Sequence, residues 1–305
     1  MIIDLPDTTT RDINKRLVEE RDEGGVVALG RVLTLVIDAG AHDPEEAIDA
    51  ANAASREHPC RIIVLSTIDT RPDSHLAAQI RLGGDAGASE VVLLYPAGEL
   101  GDHLDSLVTP LLLPDAPIVV WWPFEVPDHP GEHPIGRMGM RRITDTTQCT
   151  HPTSTLRHLA STYTAGDTDL AWTRATLWRG LIAATLDQPP FEPVHKAVVR
   201  GEASHPSLDL MAAWLGWALR CPVEIDRIPG APAITEVRLE RSGGAIVLDR
   251  PDGKTAELHQ PGQPPHRIAL PIRQLKECLV EELRRLDPDE VYGEVITKGL
   301  GKVPA

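Results

Sequence analysis

Cysteine is scarce in this 305-residue chain: Cys60, Cys149, Cys221 and Cys278 lie far apart and form no CxxC pair. That spacing excludes a disulfide framework and a tetrahedral thiolate metal site. Positive charge is also in short supply. Thirty Lys and Arg face 45 Asp and Glu, a formal net charge of −15. Proteins that neutralise phosphate backbones need clustered cations, so nucleic acid and anionic membrane surfaces are disfavoured partners. No apolar run approaches the ~20 residues that span a bilayer, and the first twelve residues show no secretory signal pattern. A soluble cytoplasmic protein with reduced thiols is the expectation. Aromatic residues make up only 4% of the chain, six of them Trp.

The signatures of common enzymes are missing as well. There is no GxxxxGK[ST] loop, no GxGxxG after a strand, no GxSxG elbow and no HExxH. The glycine cluster at residues 82–87 has the wrong spacing for a dinucleotide turn and reads as a turn between strands. Residues 128–133 (Asp-His-Pro-Gly-Glu-His) place two His four apart, but Pro and Gly forbid the helix that would bring them together. No metal and no cofactor is implied, and the chain reads as a non-enzyme.

What is present is alternation. Thr8-Thr9-Thr10 precede an amphipathic run that reads as a helix ending at Gly24-Gly25. Residues 26–37 read as a strand. Asp43-Pro44-Glu45-Glu46 start a helix running to about residue 57, with Pro at the first turn and acids at the positive end of the dipole. Strands are expected at 60–66, 74–82, 90–95 and 117–122, and a helix at 99–108. The segment 123–139 is a Pro/Gly loop; helices follow at 153–163 and 167–186. After residue 166 come a strand at 193–200, a helix at 207–219 and strands at 223–228, 235–241, 245–250 and 266–270, with Gly243-Gly244 as a hairpin turn. Two charged helices close the chain, at 272–285 and 288–296. The fold class is α/β, with α+β possible: two similar-sized halves, 1–165 and 166–305, each a mixed sheet with flanking helices.

Three features carry chemistry. Arg137, Arg141 and Arg142 form a basic island in an acidic chain, able to grip a phosphate or a partner's carboxylates, or to pair with the protein's own acids. Asp167 and Asp169 stand before a helix; one of them caps it, or one serves as a base. Within a helix over 167–186, Arg174 lies four residues before Trp178 and can stack on it. Trp172 points away from Trp178 on a continuous helical wheel, so one of them meets another element or another protein. Cys149, beside the basic island, is the one thiol with an argument for a lowered pKa.

Asp4-Leu5-Pro6-Asp7-Thr8-Thr9, Gly30-Arg31-Val32-Leu33-Thr34-Leu35, Val120-Trp121-Trp122-Pro123, Arg141-Arg142-Ile143-Thr144-Asp145 and Gly166-Asp167-Thr168-Asp169-Leu170-Ala171-Trp172-Thr173-Arg174 occur in this order. Together they resemble the OpcA family, the glucose-6-phosphate dehydrogenase assembly proteins of actinobacteria and cyanobacteria. The resemblance implies a non-catalytic partner that binds glucose-6-phosphate dehydrogenase and promotes its active oligomer in the oxidative pentose phosphate pathway, supporting NADPH supply. It also implies redox control through cysteines in cyanobacterial members, for which Cys149 is the candidate here. On motif membership and residue type, the expected partner-binding residues are Trp121, Trp122, Arg141, Arg142, Asp145, Asp167, Asp169, Trp172, Arg174 and Arg179. Charge reversal at Arg141 and Arg142 is then expected to weaken binding and leave the fold intact. The alternative is a sugar-phosphate-binding protein or enzyme built on Arg137, Arg141 and Arg142.

Overall fold

The computed structural model describes residues 1–24, 30–83 and 90–303. Residues 26–29 of the first long Val/Leu run and 84–87 of the glycine cluster lie outside them. Two compact units emerge. The first comprises residues 1–145, 166–168 and 275–288; the second comprises 146–165, 169–274 and 289–303. The chain therefore passes between units five times, and 165/166 is one of those passages.

The first unit is built on β1 (Ile2–Leu5), α1 (Thr10–Gly24), β2 (Leu33–Asp38), α2 (Glu45–Ser55), β3 (Cys60–Leu65), β4 (His75–Arg81), β5 (Glu90–Ala97), α3 (Leu104–Val108), β6 (Ile118–Trp122) and β7 (Arg141–Thr144). Thr9 caps α1, its hydroxyl accepting from the Asp12 N–H at 3.2 Å. The helix expected over 99–108 is broken: a 3-10 turn at Gly98–Asp102 precedes α3, and the two are separated at His103, whose backbone (φ −125, ψ 46) is not helical. The eight strands of the sheet run in the order β1-β4-β5-β3-β2-β6-β7-β8, where β8 is Asp167–Asp169. The five from β5 to β7 are parallel, and β4 pairs antiparallel with both β1 and β5. Strands buried on both faces read as continuous apolar runs, which is why β3 and β5 were legible. Val36, Ile63, Val92, Val120 and Trp122 pack with Ile13 and Leu17 of α1 and Leu107 of α3. The alternate residues face the opposite side, where α2 lies against β3 and α8 (Leu275–Arg284) packs on α2.

A buried charge cluster is built into this sheet. Glu90 at the start of β5 is fully buried and receives Arg61 of β3, with Arg31 at 2.7 Å. Arg61 also donates to the Leu111 carbonyl at 2.5 Å. A buried carboxylate survives because two guanidinium groups compensate it.

The second unit begins with α4 (Pro152–Thr162) and continues through α5 (Leu170–Arg174), α6 (Thr176–Leu186), β9 (Lys196–Glu202), α7 (Pro206–Leu219), β10 (Val223–Ile228), β11 (Ile234–Glu240), β12 (Ile246–Asp249), β13 (Thr255–His259), β14 (His266–Ala269) and α9 (Glu290–Glu294). Its six strands run β10-β9-β11-β12-β13-β14. β9 and β10 are parallel and joined through α7; the rest are antiparallel. β13 was not legible as a strand, since Thr-Ala-Glu-Leu-His carries weak strand propensity and is fixed by pairing with β12 and β14. α7 is apolar nearly all round and is correspondingly buried. Its one buried acid, Asp209, is held by Arg227 at 2.9 Å, with Arg157 at 3.4 Å. The fold class is thus α/β with two mixed sheets, as the residue pattern implied.

Candidate functional site

In the first unit the chain reverses its winding at β2. From β2 it passes through α2 to β3 on one side, and the later β6 is laid down on the other side. Neighbouring parallel strands whose connections depart in opposite directions leave a crevice beyond their carboxyl ends, the usual ligand position in open α/β sheets. A crevice of about 200 Å³ lies at that place, lined by Asp38, Gly40, Trp122, Glu125, Val126, Pro127 and His133.

Its chemistry is acidic. Asp38, the last residue of β2, accepts from the Gly40 N–H at 3.1 Å and the Trp122 indole N–H at 3.2 Å. The amide of the loop after β2 thus serves the protein's own carboxylate. Burial is the largest influence on the Asp38 carboxyl and pushes its pKa up, against the opposing Gly40 hydrogen bond. Glu125 stands at the mouth, 3.3 Å from His42, which stacks on Phe124. His133 meets the Trp122 ring edge-on at 5.6 Å, and burial lowers its pKa. Asp38 escaped sequence reasoning, and His133 was weighed there only as a metal ligand: the signal was present in a strand ending Leu-Val-Ile-Asp, a glycine and a helix start, but only the strand order singles it out. Among the described residues no group of three or more His, Cys, Asp and Glu is arranged to hold a metal.

The residues singled out from sequence lie elsewhere or point inward. Trp121 is buried on the face of β6 opposite Trp122. Arg141 and Arg142 are consecutive on β7, so they take opposite faces of the sheet and do not form one island. Arg141 donates to Glu282 at 2.6 Å and to the Asp287 carbonyl at 3.1 Å. Arg142 pairs with Asp167 and donates to the Gly139 carbonyl at 3.0 Å. Both guanidinium groups are buried, as is Asp145 at the end of the strand, whereas Arg137 is exposed. The expectation that charge reversal at Arg141 and Arg142 spares the fold is corrected: it would set a buried carboxylate against Glu282 or Asp167. Cys149 is half-buried and forms no disulfide.

The helix expected from Asp167 does not begin there. Asp167–Asp169 is a strand, and Asp169 is the cap of α5, accepting from Ala171 N–H at 2.8 Å, Thr146 N–H at 3.0 Å and the Thr146 hydroxyl at 2.9 Å. A break at Ala175 (φ −91, ψ 0) then separates α5 from α6. The wheel that set Trp172 and Trp178 apart assumed one continuous helix, and both are buried. Arg174 does not stack on Trp178. Arg179 lies 3.2 Å over Trp172, whose indole N–H donates to Asp289 at 2.8 Å, while Arg250 sits 5.0 Å over Trp178. Burial pulls the Arg250 pKa down to about 10; its Nη1 donates to the Leu270 carbonyl at 2.9 Å and its Nη2 to the Ile234 carbonyl at 2.6 Å. Arg174 and Arg179 remain partly exposed.

Two outcomes follow from these geometries. Arg142→Ala strands the Asp167 carboxylate and is expected to cost about 3–5 kcal/mol, measured by urea unfolding; an unchanged midpoint would contradict the internal role of the pair. Burial lowers the His133 pKa in the folded crevice, so as the pH falls below about 6.5 the unfolded chain takes up a proton there more readily than the folded one, and His133 removes stability. His133→Gln is therefore expected to lose less melting temperature than the parent between pH 7 and 5.5, and identical losses would contradict the assignment.

Two family models match the chain. One, for the glucose-6-phosphate dehydrogenase subunit N-terminal domain, covers residues 51–161; the other, for the C-terminal domain of the same subunit, covers residues 165–296. No curated protein matches. Among solved structures, the chain is similar to a 3-ketoreductase from Actinomadura kijaniata, KijD10, in complex with NADP and TDP-benzene, at 9% identity and TM-score 0.50, over 89% of this chain and 96% of that one. A myo-inositol dehydrogenase from Lactobacillus casei, at 10% identity and TM-score 0.41 over 89% and 93%, is more distant. At such identity the likeness concerns fold alone. The paired family matches across residues 51–296 establish that the chain belongs to the OpcA family of glucose-6-phosphate dehydrogenase subunit proteins.

Proposed function

We propose that this protein is a non-catalytic assembly factor and allosteric activator of glucose-6-phosphate dehydrogenase. It binds the enzyme in the cytoplasm and favours its active oligomer in the oxidative pentose phosphate pathway. Family membership carries the reading. The acidic crevice at the β2/β6 switch point supports it, because the position where an α/β dehydrogenase fold would grip a pyrophosphate is furnished with Asp38, Glu125 and an indole.

A partner with no chemistry of its own acts by binding one state of the enzyme more tightly than another. The net charge of −15 and the exposed Glu125 favour a cationic surface on the dehydrogenase. Of the motif residues, Arg174 and Arg179 are proposed as direct contacts. The buried remainder (Trp121, Trp122, Arg141, Arg142, Asp145, Asp167, Asp169 and Trp172) is proposed to act by fixing the backbone that presents them. The sugar-phosphate alternative is disfavoured by the carboxylates already seated on Arg141 and Arg142.

Size-exclusion runs of the protein with its cognate glucose-6-phosphate dehydrogenase are expected to give one co-eluting species at low ionic strength. Its affinity should fall as salt shortens the Debye length to about 10 Å near 0.1 M. Separate elution at every salt concentration would contradict the proposal.

A further inference from the structure

A second cavity, of about 850 Å³, lies in the C-terminal unit where α7 ends. That volume is within the range of about 300–1,000 Å³ typical of small-molecule sites. Its walls include Trp217, Arg220, Cys221, Lys298 and Lys302. Three cations facing one cavity are unusual in a chain of this net charge. Elsewhere in the same unit Arg200, Arg227, Arg238 and Arg267 each reach a carboxylate. Lys298 lies 2.7 Å from Glu294, but both side chains are substantially exposed. The side chains of Arg220 and Lys302 take no hydrogen bond or ion pair among the described residues.

The backbone makes Arg220 more pointed. It follows the last residue of α7 with φ 55 and ψ 35, the left-handed position that glycine ordinarily fills at a helix end. Glycine would close the helix at lower conformational cost, so what arginine adds is its guanidinium. The carbonyl end of α7 contributes about half a negative charge and Glu294 beside Lys298 a full one, which the three cations together still outweigh. Burial pushes the Cys221 thiol up, so no thiolate opposes an anion at neutral pH. Trp217 is half-buried and supplies a flat apolar wall.

We propose that this cavity binds a phosphorylated small molecule carrying an aromatic ring, of nucleoside diphosphate size. Arg220, Lys298 and Lys302 hold the phosphates, the guanidinium by forked hydrogen bonds and the ammonium groups as point charges. The ring stacks on the Trp217 indole.

The probe is ADP, titrated into the full chain by calorimetry, with adenosine and inorganic phosphate as half-ligand controls. ADP is expected to bind at least about tenfold more tightly than either control, since only ADP uses both the indole and the cations. Arg220→Gly is the decisive variant. It removes the guanidinium and relieves the left-handed strain, so it should weaken ADP at least about tenfold while melting at or above the parent temperature. Lys302→Gln should weaken ADP without altering the melting temperature, and Trp217→Phe should abolish ADP-dependent fluorescence quenching. Absence of ADP binding, equal affinity in Arg220→Gly, or binding of polyglutamate in place of ADP would overturn the proposal.

Discussion

The buried pairing of Arg142 with Asp167 is the interaction on which much else in this structure depends. A lone buried charge is costly, so each partner requires the other to stay in place. The segment carrying Asp167 is accordingly held as an edge strand against β7. The Arg142 N–H donates to the Gly166 carbonyl at 2.9 Å, and the Thr144 hydroxyl donates to the Thr168 carbonyl at 3.1 Å. Gly166 is the residue that permits the approach: it has φ +99, and a Cβ there would stand 2.6 Å from the Met140 carbonyl oxygen. With 167–168 taken into the sheet, helix formation is deferred to Asp169, whose carboxylate caps α5. The later break at Ala175 then lets Trp172 and Trp178 both bury, each beneath its own arginine.

The same logic shapes the crevice of the first unit. An open parallel sheet with a winding reversal offers a crevice that suits an anion when loop amides are free and glycines line the approach. Here Asp38 takes the Gly40 amide, Trp122 fills the floor and Glu125 stands at the mouth.

Much of the fold was legible because physics and pattern agreed. Buried parallel strands such as Cys60–Leu65 read as apolar runs, β4 alternates as an edge-side strand should, and Gly243-Gly244 marks the β11–β12 hairpin. What was hidden is tertiary. β7 reads Arg-Arg-Ile-Thr and resembles a solvated basic patch, since nothing in those four letters announces that Glu282 and Asp167, far along the chain, neutralise it. The Asp-Thr-Asp strand looks like a helix start because acids before an amphipathic run usually are one. The residue set expected to meet a partner was chosen by chemical type, and most of it is buried. The crevice was invisible for the opposite reason: Asp38 and His133 are ordinary letters, and only the strand order brings them together.

The account stands or falls on what the protein does to the enzyme. The most direct measurement is the initial rate of the cognate glucose-6-phosphate dehydrogenase against glucose 6-phosphate concentration, with and without this protein, alongside the protein alone. A coupling of about 1–3 kcal/mol predicts a change of roughly 5–150-fold in apparent substrate affinity, and no turnover by the protein by itself. Superimposable rate curves, with both proteins folded and in excess of one another in turn, or turnover by the isolated protein, would contradict it.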